Sequence, residues 1–265
     1  MSELKAKLKR LENLLKGLGQ VSVALSGGLD SGVLLLLAKD SLGRKNVLAL
    51  TCASEIMPSS DLAQARMLAL KAGVRHLVLP FDHLALEAFK INPPERCYFC
   101  KKAMFSFFLE KSPYPLIDGS QVDDLKEERP GLKALNELKI LSPLKEAGLN
   151  KKDLRKLARS YGLTSYKKAA SPCLATRFLT GEPITKEGLA KVAKAEAYLN
   201  ALGFSFCRVR IKENLCIIQV YPQESEKILS YQQNILETFK NIGFKKILID
   251  LEGYKPPLKP GYSRS

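Results

Sequence analysis

The sequence predicts an α/β fold, a doubly wound and mostly parallel sheet, followed by a smaller C-terminal α+β domain. Three observations lead there. Strand-like runs alternate with helical stretches through the first two thirds of the 265 residues. The first of those strands runs directly into a glycine turn and an apolar helix. After about Gly181 the order changes to helix, hairpin, helix and strand. The expected domains are therefore residues 1–181 and 182–265. Alternation of strand and helix implies right-handed crossovers between parallel strands.

Leu4, Leu8, Leu11, Leu14 and Leu15 fall on one face of a first helix ending near Gly17 and Gly19. "VSVAL", residues 21–25, reads as a buried strand, and the apolar run from about Ser31 to Lys39 as the helix after it. "NVLALTC", residues 46–52, is a second strand. A helix over residues 61–72 follows, with Ser59 or Ser60 as its cap. "VRHLVLP", residues 74–80, gives strand three. "PLIDGS", residues 115–120, gives strand four after a helix over about 98–110. A helix over 153–161 has Asn150 as cap and Gly162 just beyond its end. In the C-terminal part, a helix over 185–202 precedes two alternating strands, "FSFCRVRI" and "LCIIQVY", joined by "KEN" as a hairpin. A helix over 224–242 and the strand "KKILIDL" complete an αββαβ unit. The Pro/Gly-rich tail from Gly253 onward reads as extended.

The turn after strand one, "SVALSGGLDSGVLLLLA", lets the backbone amides of Ser26, Gly27, Gly28 and Leu29 converge on a phosphate at a helix N-terminus. It is neither a Walker A loop nor the GxGxxG dinucleotide fingerprint. Ser-Gly-Gly-x-Asp-Ser in this strand–turn–helix setting resembles the PP-loop of the ATP pyrophosphatase superfamily, whose members cleave ATP between the α and β phosphates. That resemblance implies ATP held by Ser26, Gly27, Gly28, Asp30 and Ser31, with Asp30 acting through Mg²⁺. It also implies adenine beside residues 51–54, "TCAS", which include Thr51 and Ser54.

Composition bounds the rest. Hydrophobic residues make up 46% and charged residues 26%, as in soluble globular proteins. The longest apolar run near membrane character, residues 33–38, falls far short of the ~20 residues a bilayer requires. The N-terminal helix interleaves lysine with leucine and lacks a signal-peptide core, so cytoplasmic residence without membrane attachment is expected. A net charge of +15 favours an anionic partner: nucleotide, phosphorylated small molecule or RNA. With only His76 and His83, neither in a recognisable motif, a Ser-His-Asp triad and a Cys2His2 zinc site have little to draw on.

The six cysteines of a cytoplasmic chain should be reduced. Cys207 and Cys216 share strand parity with aliphatic neighbours and read as core. Cys52 ends a buried strand and reads as core or as lining of the adenine site. Cys97 and Cys100 form a CxxC in "NPPERCYFCKKAMF", which is half a metal site, a redox pair or packing. Cys173 lies in the loop "KKAASPCLATRFLTG", where Lys167, Lys168 and Arg177 favour its thiolate. Three thiols do not close a structural zinc site, which takes four ligands. They suit a [4Fe-4S] cluster with one open iron, and leave a redox pair or a three-thiolate zinc with water as alternatives.

The segments "ALSGGLDSGVLL", "NPPERCYFCKKAMF", "IDGSQVDD", "SPLKEAGLNKKDLRKLA", "SPCLATRF", "ITKEGLAKVAKAE", "FCRVR" and "DLEGYK" together resemble the LarE family of ATP-dependent sacrificial sulfur transferases. The likeness runs from near Leu25 to about Lys255. It implies adenylation of a carboxylate on pyridinium-3,5-biscarboxylic acid mononucleotide, then displacement of AMP by sulfur, for nickel-pincer nucleotide biosynthesis. One-cysteine members give up the sulfur of the cysteine matched by Cys173. Three-cysteine members carry a [4Fe-4S] cluster, and this chain has Cys97, Cys100 and Cys173. Arg208 and Arg210 would grip the mononucleotide phosphate, with Thr176, Arg177 and Glu196 in flanking site roles. The family's larger assemblies imply a homo-oligomer. The chain departs from the family pattern at Lys212, Glu213 and Asn214, where a histidine–glycine turn is expected, and at Phe178, Leu179 and Thr180. A tRNA thiolase, another PP-loop enzyme with three cysteines, is the competing expectation. No appended RNA-binding module accompanies it in the sequence.

Overall fold

The computed structural model describes residues 3–126, 130–163 and 172–254. The chain divides into two compact units. One comprises Met1–Asp82 with Glu95–Pro172, the other His83–Pro94 with Cys173–Ser265.

The first unit is built on four parallel strands in the order β3-β2-β1-β4: β1 (Val21–Ala24), β2 (Val47–Ala53), β3 (Arg75–Pro80) and β4 (Leu116–Ile117). Helices α1 (Glu3–Leu18), α2 (Leu29–Leu42) and α3 (Ser59–Ala72) alternate with the strands. The short α4 (Glu87–Lys90) belongs to the second unit. The first then continues through α5 (Arg96–Lys111), α6 (Pro130–Glu137), α7 (Pro143–Glu146) and α8 (Lys151–Ser160). Helix α2 is apolar nearly all round because it is covered on most sides: Val33, Leu34, Leu35 and Ala38 are fully buried. Leu11 and Leu15 of α1 enter the same core, while Leu4, Leu8 and Leu14 lie along its edge. A second cluster, including Leu48, Leu50, Phe105 and Phe108, packs on the other side of the sheet. Ser59 and Ser60 do not cap α3. They form its first turn behind Pro58, which carries no side-chain cap. Asn150 caps α8 as expected, in a reciprocal box with Asp153.

The second unit carries α9 (Lys186–Ala201), the hairpin β5 (Cys207–Lys212) and β6 (Leu215–Val220), α10 (Ser225–Ser230), α11 (Gln232–Ile242) and β7 (Lys246–Ile249). Its sheet order is β5-β6-β7, with β6 antiparallel to β5 and parallel to β7. The single helix expected over 224–242 is two, because Tyr231 takes φ −105° and ψ 16° and interrupts the ladder. The hairpin turn holds Glu213 at φ 52°, an αL residue in a position that commonly takes glycine or asparagine.

Where the sequence placed the boundary at residue 181, the chain passes between units at 172. The reason lies in contacts within the second unit. Arg177 pairs with Glu196 of α9, and Phe178 bridges to Ile211 of β5. Residues 83–94 join the same unit: Asn92 Nδ2 donates to the carbonyls of Leu179 (2.6 Å) and Glu182 (2.9 Å), and Ile184 N donates to Lys90 O at 2.8 Å.

Candidate active site

The glycine turn sits where β1 meets α2, and steric exclusion explains its composition. Gly27 has φ +80°, and a Cβ there would stand 2.1 Å from the Asp61 carbonyl oxygen. Only glycine fits. Ser31 is buried and organises the loop from within: its Oγ accepts from Ser26 N at 3.2 Å and lies 3.1 Å from Ser26 Oγ. Gly28 N donates to Ser26 Oγ at 3.3 Å. Two of the four amides expected to meet a phosphate are thus turned onto the serines in the free chain.

Asp30, in the first turn of α2, is met by a residue that sequence reasoning missed. Lys151 Nζ lies 2.7 Å from both Asp30 carboxylate oxygens. Lys151 is the first residue of α8, and its backbone N donates to Asp123 Oδ2 at 2.9 Å. Burial raises the Asp30 pKa above its ordinary value, Lys151 opposes that shift, and Asp124 adds to it. A divalent ion at Asp30 would compete with Lys151 for the same two oxygens. The available signal was the cap itself, since Asn150 starts a helix whose first side chain is a lysine.

Beside the turn, the loop after β4 is tied down by Asp118, which is buried and accepts hydrogen bonds from Ser120 Oγ and Ser142 Oγ. That arrangement holds Gly119 against α2, where an added Cβ would meet Ser31 N at 2.8 Å. Thr51, expected near adenine, is buried: its hydroxyl donates to Leu25 O at 2.7 Å and lies 2.8 Å from His76 Nε2. With the hydroxyl proton committed to Leu25, His76 must donate from Nε2. Burial, and then Arg66, lower the His76 pKa, which keeps the ring neutral. The Thr51 hydroxyl is therefore committed within the protein, while Ser54 is half-exposed.

The six thiols fall into two sets. Cys52, Cys207 and Cys216 are buried, and burial pushes each up to about 12. Cys97 is exposed, and Cys100 and Cys173 are half-buried. Cys97 and Cys100 stand on one side of the first turn of α5. Cys173 is the N-cap of a short 3-10 turn, Leu174–Arg177, in the second unit. Among the described residues no group of three or more His, Cys, Asp or Glu is placed to hold a metal ion. Lys167 and Lys168, expected to bias Cys173 toward thiolate, lie outside the described residues.

Around Cys173 the assigned residues Thr176, Arg177 and Glu196 do come together. Arg177 is 1% exposed and makes a two-armed pair with Glu196, Nε to Oε1 at 2.8 Å and Nη2 to Oε2 at 3.0 Å. Its Nη1 donates to Thr176 Oγ1 (2.8 Å) and to Cys173 O (3.2 Å). Glu196 Oε1 also accepts from Val209 N at 3.0 Å. The pair ties the Cys173 turn to α9 and β5. Arg208 and Arg210 alternate with buried Cys207, Val209 and Ile211, as the strand period requires. Arg210 Nη1 donates to Thr176 O at 2.9 Å. Arg208 lies over the Phe206 ring at 4.2 Å, and burial, then Arg177, lower its pKa.

A four-stranded parallel sheet with a serine–glycine turn at the carboxyl end of β1 defines an α/β protein of the PP-loop class. The NAD synthase family model matches residues 4–94. Over 258 residues the chain is 35% identical to an uncharacterized protein of Synechocystis sp., covering 95% of this chain and 96% of the relative. It is 34% identical over 259 residues to pyridinium-3,5-bisthiocarboxylic acid mononucleotide synthase of Lactiplantibacillus plantarum, covering 96% and 94%. Likeness to the NH(3)-dependent NAD(+) synthetase of Chlorobaculum tepidum, 34% identical, covers only 77 residues, 29% of this chain and 28% of that one. The chain belongs to the family of the full-length relatives, the LarE family that its motifs resemble.

Proposed function

We propose that the chain is an ATP-dependent, AMP-forming sulfur transferase acting on pyridinium-3,5-biscarboxylic acid mononucleotide in nickel-pincer nucleotide biosynthesis. The observation that carries the reading is the sorting of the cysteines: in a chain with a PP-loop, the three accessible thiols are Cys97, Cys100 and Cys173.

In the first step a substrate carboxylate oxygen attacks the α-phosphorus of ATP, and pyrophosphate leaves. The turn at Ser26, Gly27, Gly28 and Ser31 would hold the phosphates. Asp30 would hold Mg²⁺, which would offset the polyphosphate charge, and Lys151 beside it would be placed to bind the phosphates. In the second step sulfur attacks the acyl carbon and AMP departs, leaving a thiocarboxylate. Arg208 and Arg210 would bind the mononucleotide phosphate as guanidinium forks. Thr176, Arg177 and Glu196 act by holding the turn that begins at Cys173.

Three accessible thiols fit an iron–sulfur cluster by donor chemistry, and Cys97, Cys100 and Cys173 are the residues that would hold it. Bound there, the cluster would supply a replaceable sulfide as sulfur donor. A second reading has Cys173 alone give up its sulfur and become dehydroalanine; its thiol is half-buried at the head of a turn tied down by Arg177. Anaerobic purification with iron and sulfide quantitation, followed by intact mass after turnover, separates the two. Near-stoichiometric iron lost in Cys97→Ala supports the cluster. An iron-free protein that loses the mass of hydrogen sulfide at Cys173 supports the sacrificial version. No pyrophosphate release with this substrate under either condition would refute the function. Strong, salt-steep tRNA binding with thiolation would replace it by a tRNA thiolase.

A further inference from the structure

The two arginines of β5 share a support that none of the readings above uses. Arg210 Nε donates to Gln219 Oε1 at 2.9 Å, and Gln219 Nε2 donates to Asp250 Oδ2 at 2.6 Å. Guanidinium only donates and carboxylate only accepts, so the amide has one possible orientation. With Nη1 on Thr176 O, the Arg210 fork is held on two edges.

Asp250 is itself set by a tight turn. Its N donates to Ile218 O at 3.0 Å, and its Oδ1 accepts from Glu252 N at 3.0 Å. Gly253 N donates to Asp250 O at 3.0 Å. Gly253 has φ +65°, and a Cβ there would stand 2.8 Å from Val220 O, so only glycine closes the turn. Tyr254 N then donates to Val220 O at 2.6 Å. This delivers the Tyr254 ring onto Phe206, with centroids 3.9 Å apart. Phe206 is the ring beneath the Arg208 guanidinium. One five-residue turn thus reaches both arginines by separate routes.

We propose that the turn at residues 250–254 is the positioning element of the anion site. It sets Arg210 through Asp250 and Gln219, and Arg208 through Tyr254 and Phe206. The inference rests on the reading in which these arginines bind the mononucleotide phosphate. A guanidinium held in one rotamer meets a phosphate without first being ordered, and that advantage is lost when the hold is cut.

The test is calorimetric titration of the full-length chain with pyridinium-3,5-biscarboxylic acid mononucleotide and with its riboside, which lacks the phosphate. Arg210→Ala should raise the mononucleotide Kd about a hundredfold. Gln219→Ala and Asp250→Ala should raise it about tenfold, and Tyr254→Ala several-fold, with Tyr254→Phe at the unsubstituted value. The riboside Kd and the KM for ATP should not move. Gln219→Met, which keeps the side-chain volume, serves if Asp250→Ala fails to fold. No mononucleotide binding by the unsubstituted chain, or an Arg210→Ala variant that binds normally, overturns the phosphate reading and this inference together. A large Arg210→Ala effect with normal binding by the Gln219 and Asp250 variants overturns the inference alone. Equal weakening of mononucleotide and riboside also overturns it, since that is what a merely structural turn produces.

Discussion

Cutting the Arg177–Glu196 pair is the sharpest test of how the Cys173 turn is held. Glu196 is 8% exposed and accepts three hydrogen bonds, two from Arg177 and one from Val209 N. Arg177→Ala leaves that carboxylate buried with only the Val209 amide, a situation that costs about 3–5 kcal/mol. With a urea slope of about 2 kcal/mol/M, a 4 kcal/mol loss moves the unfolding midpoint of this unit by about 2 M. The double variant Arg177→Met/Glu196→Gln keeps an acceptor for Val209 and buries no charge. It should recover more than half of the loss, although the two single costs would sum to more. Circular dichroism in urea measures all three proteins. Iodoacetamide gives a second readout, because Arg177 Nη1 holds Cys173 O. Alkylation of Cys173 should quicken several-fold in Arg177→Ala, because freeing the turn exposes the thiol by more than the loss of one nearby cation disfavours its thiolate, while that of Cys97 stays unchanged. A single variant costing under about 1 kcal/mol, or a double variant whose cost equals the sum of the singles, would refute the reasoning.

Other outcomes follow from the same geometry. At pH 8 a buried thiol pushed up to about 12 is ionised in about one molecule in ten thousand, so brief native alkylation should label Cys97, Cys100 and Cys173 and spare Cys52, Cys207 and Cys216; peptide mass mapping reads this. His76 has its pKa lowered from 6.5, so below pH 6.5 the unfolded chain takes the proton first and stability falls with acidification. Between pH 7 and 5.5 the loss should exceed that of His76→Gln, by at most about 1.4 kcal/mol per pH unit, in paired denaturation curves. Gly27→Ala should abolish ATP-dependent pyrophosphate release or prevent folding, because the new methyl would stand 2.1 Å from Asp61 O; an active, stable Gly27→Ala would show that the turn opens freely. Lys151→Met should raise the KM for ATP at least tenfold while leaving iron content untouched, and an unchanged KM would remove Lys151 from the nucleotide site.

Much of this was legible from period and punctuation. Alternating strands and helices implied the parallel sheet, and strand parity separated Cys207 and Cys216 from Arg208 and Arg210. The glycine pair after strand one marked a tight turn, and the structure shows that Gly27 there admits no side chain. What escaped were partners brought in from far along the chain. Lys151 meets Asp30 across 121 residues, Asn92 reaches Leu179 and Glu182 across 87 and 90, and Asp250 reaches Gln219 across 31. No periodicity encodes such pairings, because they depend on where the fold delivers a helix start or a turn. The domain boundary escaped for a related reason. "SPCLATRF" reads as a loop trailing the first domain, yet its arginine is buried against a glutamate of a helix that begins nine residues later.

The two units each carry a charged group that burial disfavours, and the signs are opposite. In the first, burial raises the Asp30 pKa at the glycine turn. In the second, burial and Arg177 lower the Arg208 pKa beside the Cys173 turn. Each has a partial remedy on hand, Lys151 for the aspartate and Glu196 nearby for the guanidinium. A charge already stripped of water gains more from a counter-charge than a solvated one does, because the desolvation has been met by folding. Under the proposed function, a cation bound with ATP would offset the Asp30 charge, and a phosphate monoester would offset that of Arg208. At both positions the proposed reaction brings an ion of opposite charge to a group whose charged form burial disfavours. Asp30→Asn makes that concrete: it should raise the stability of the ligand-free chain while eliminating AMP formation, and a variant both less stable and still active would contradict it.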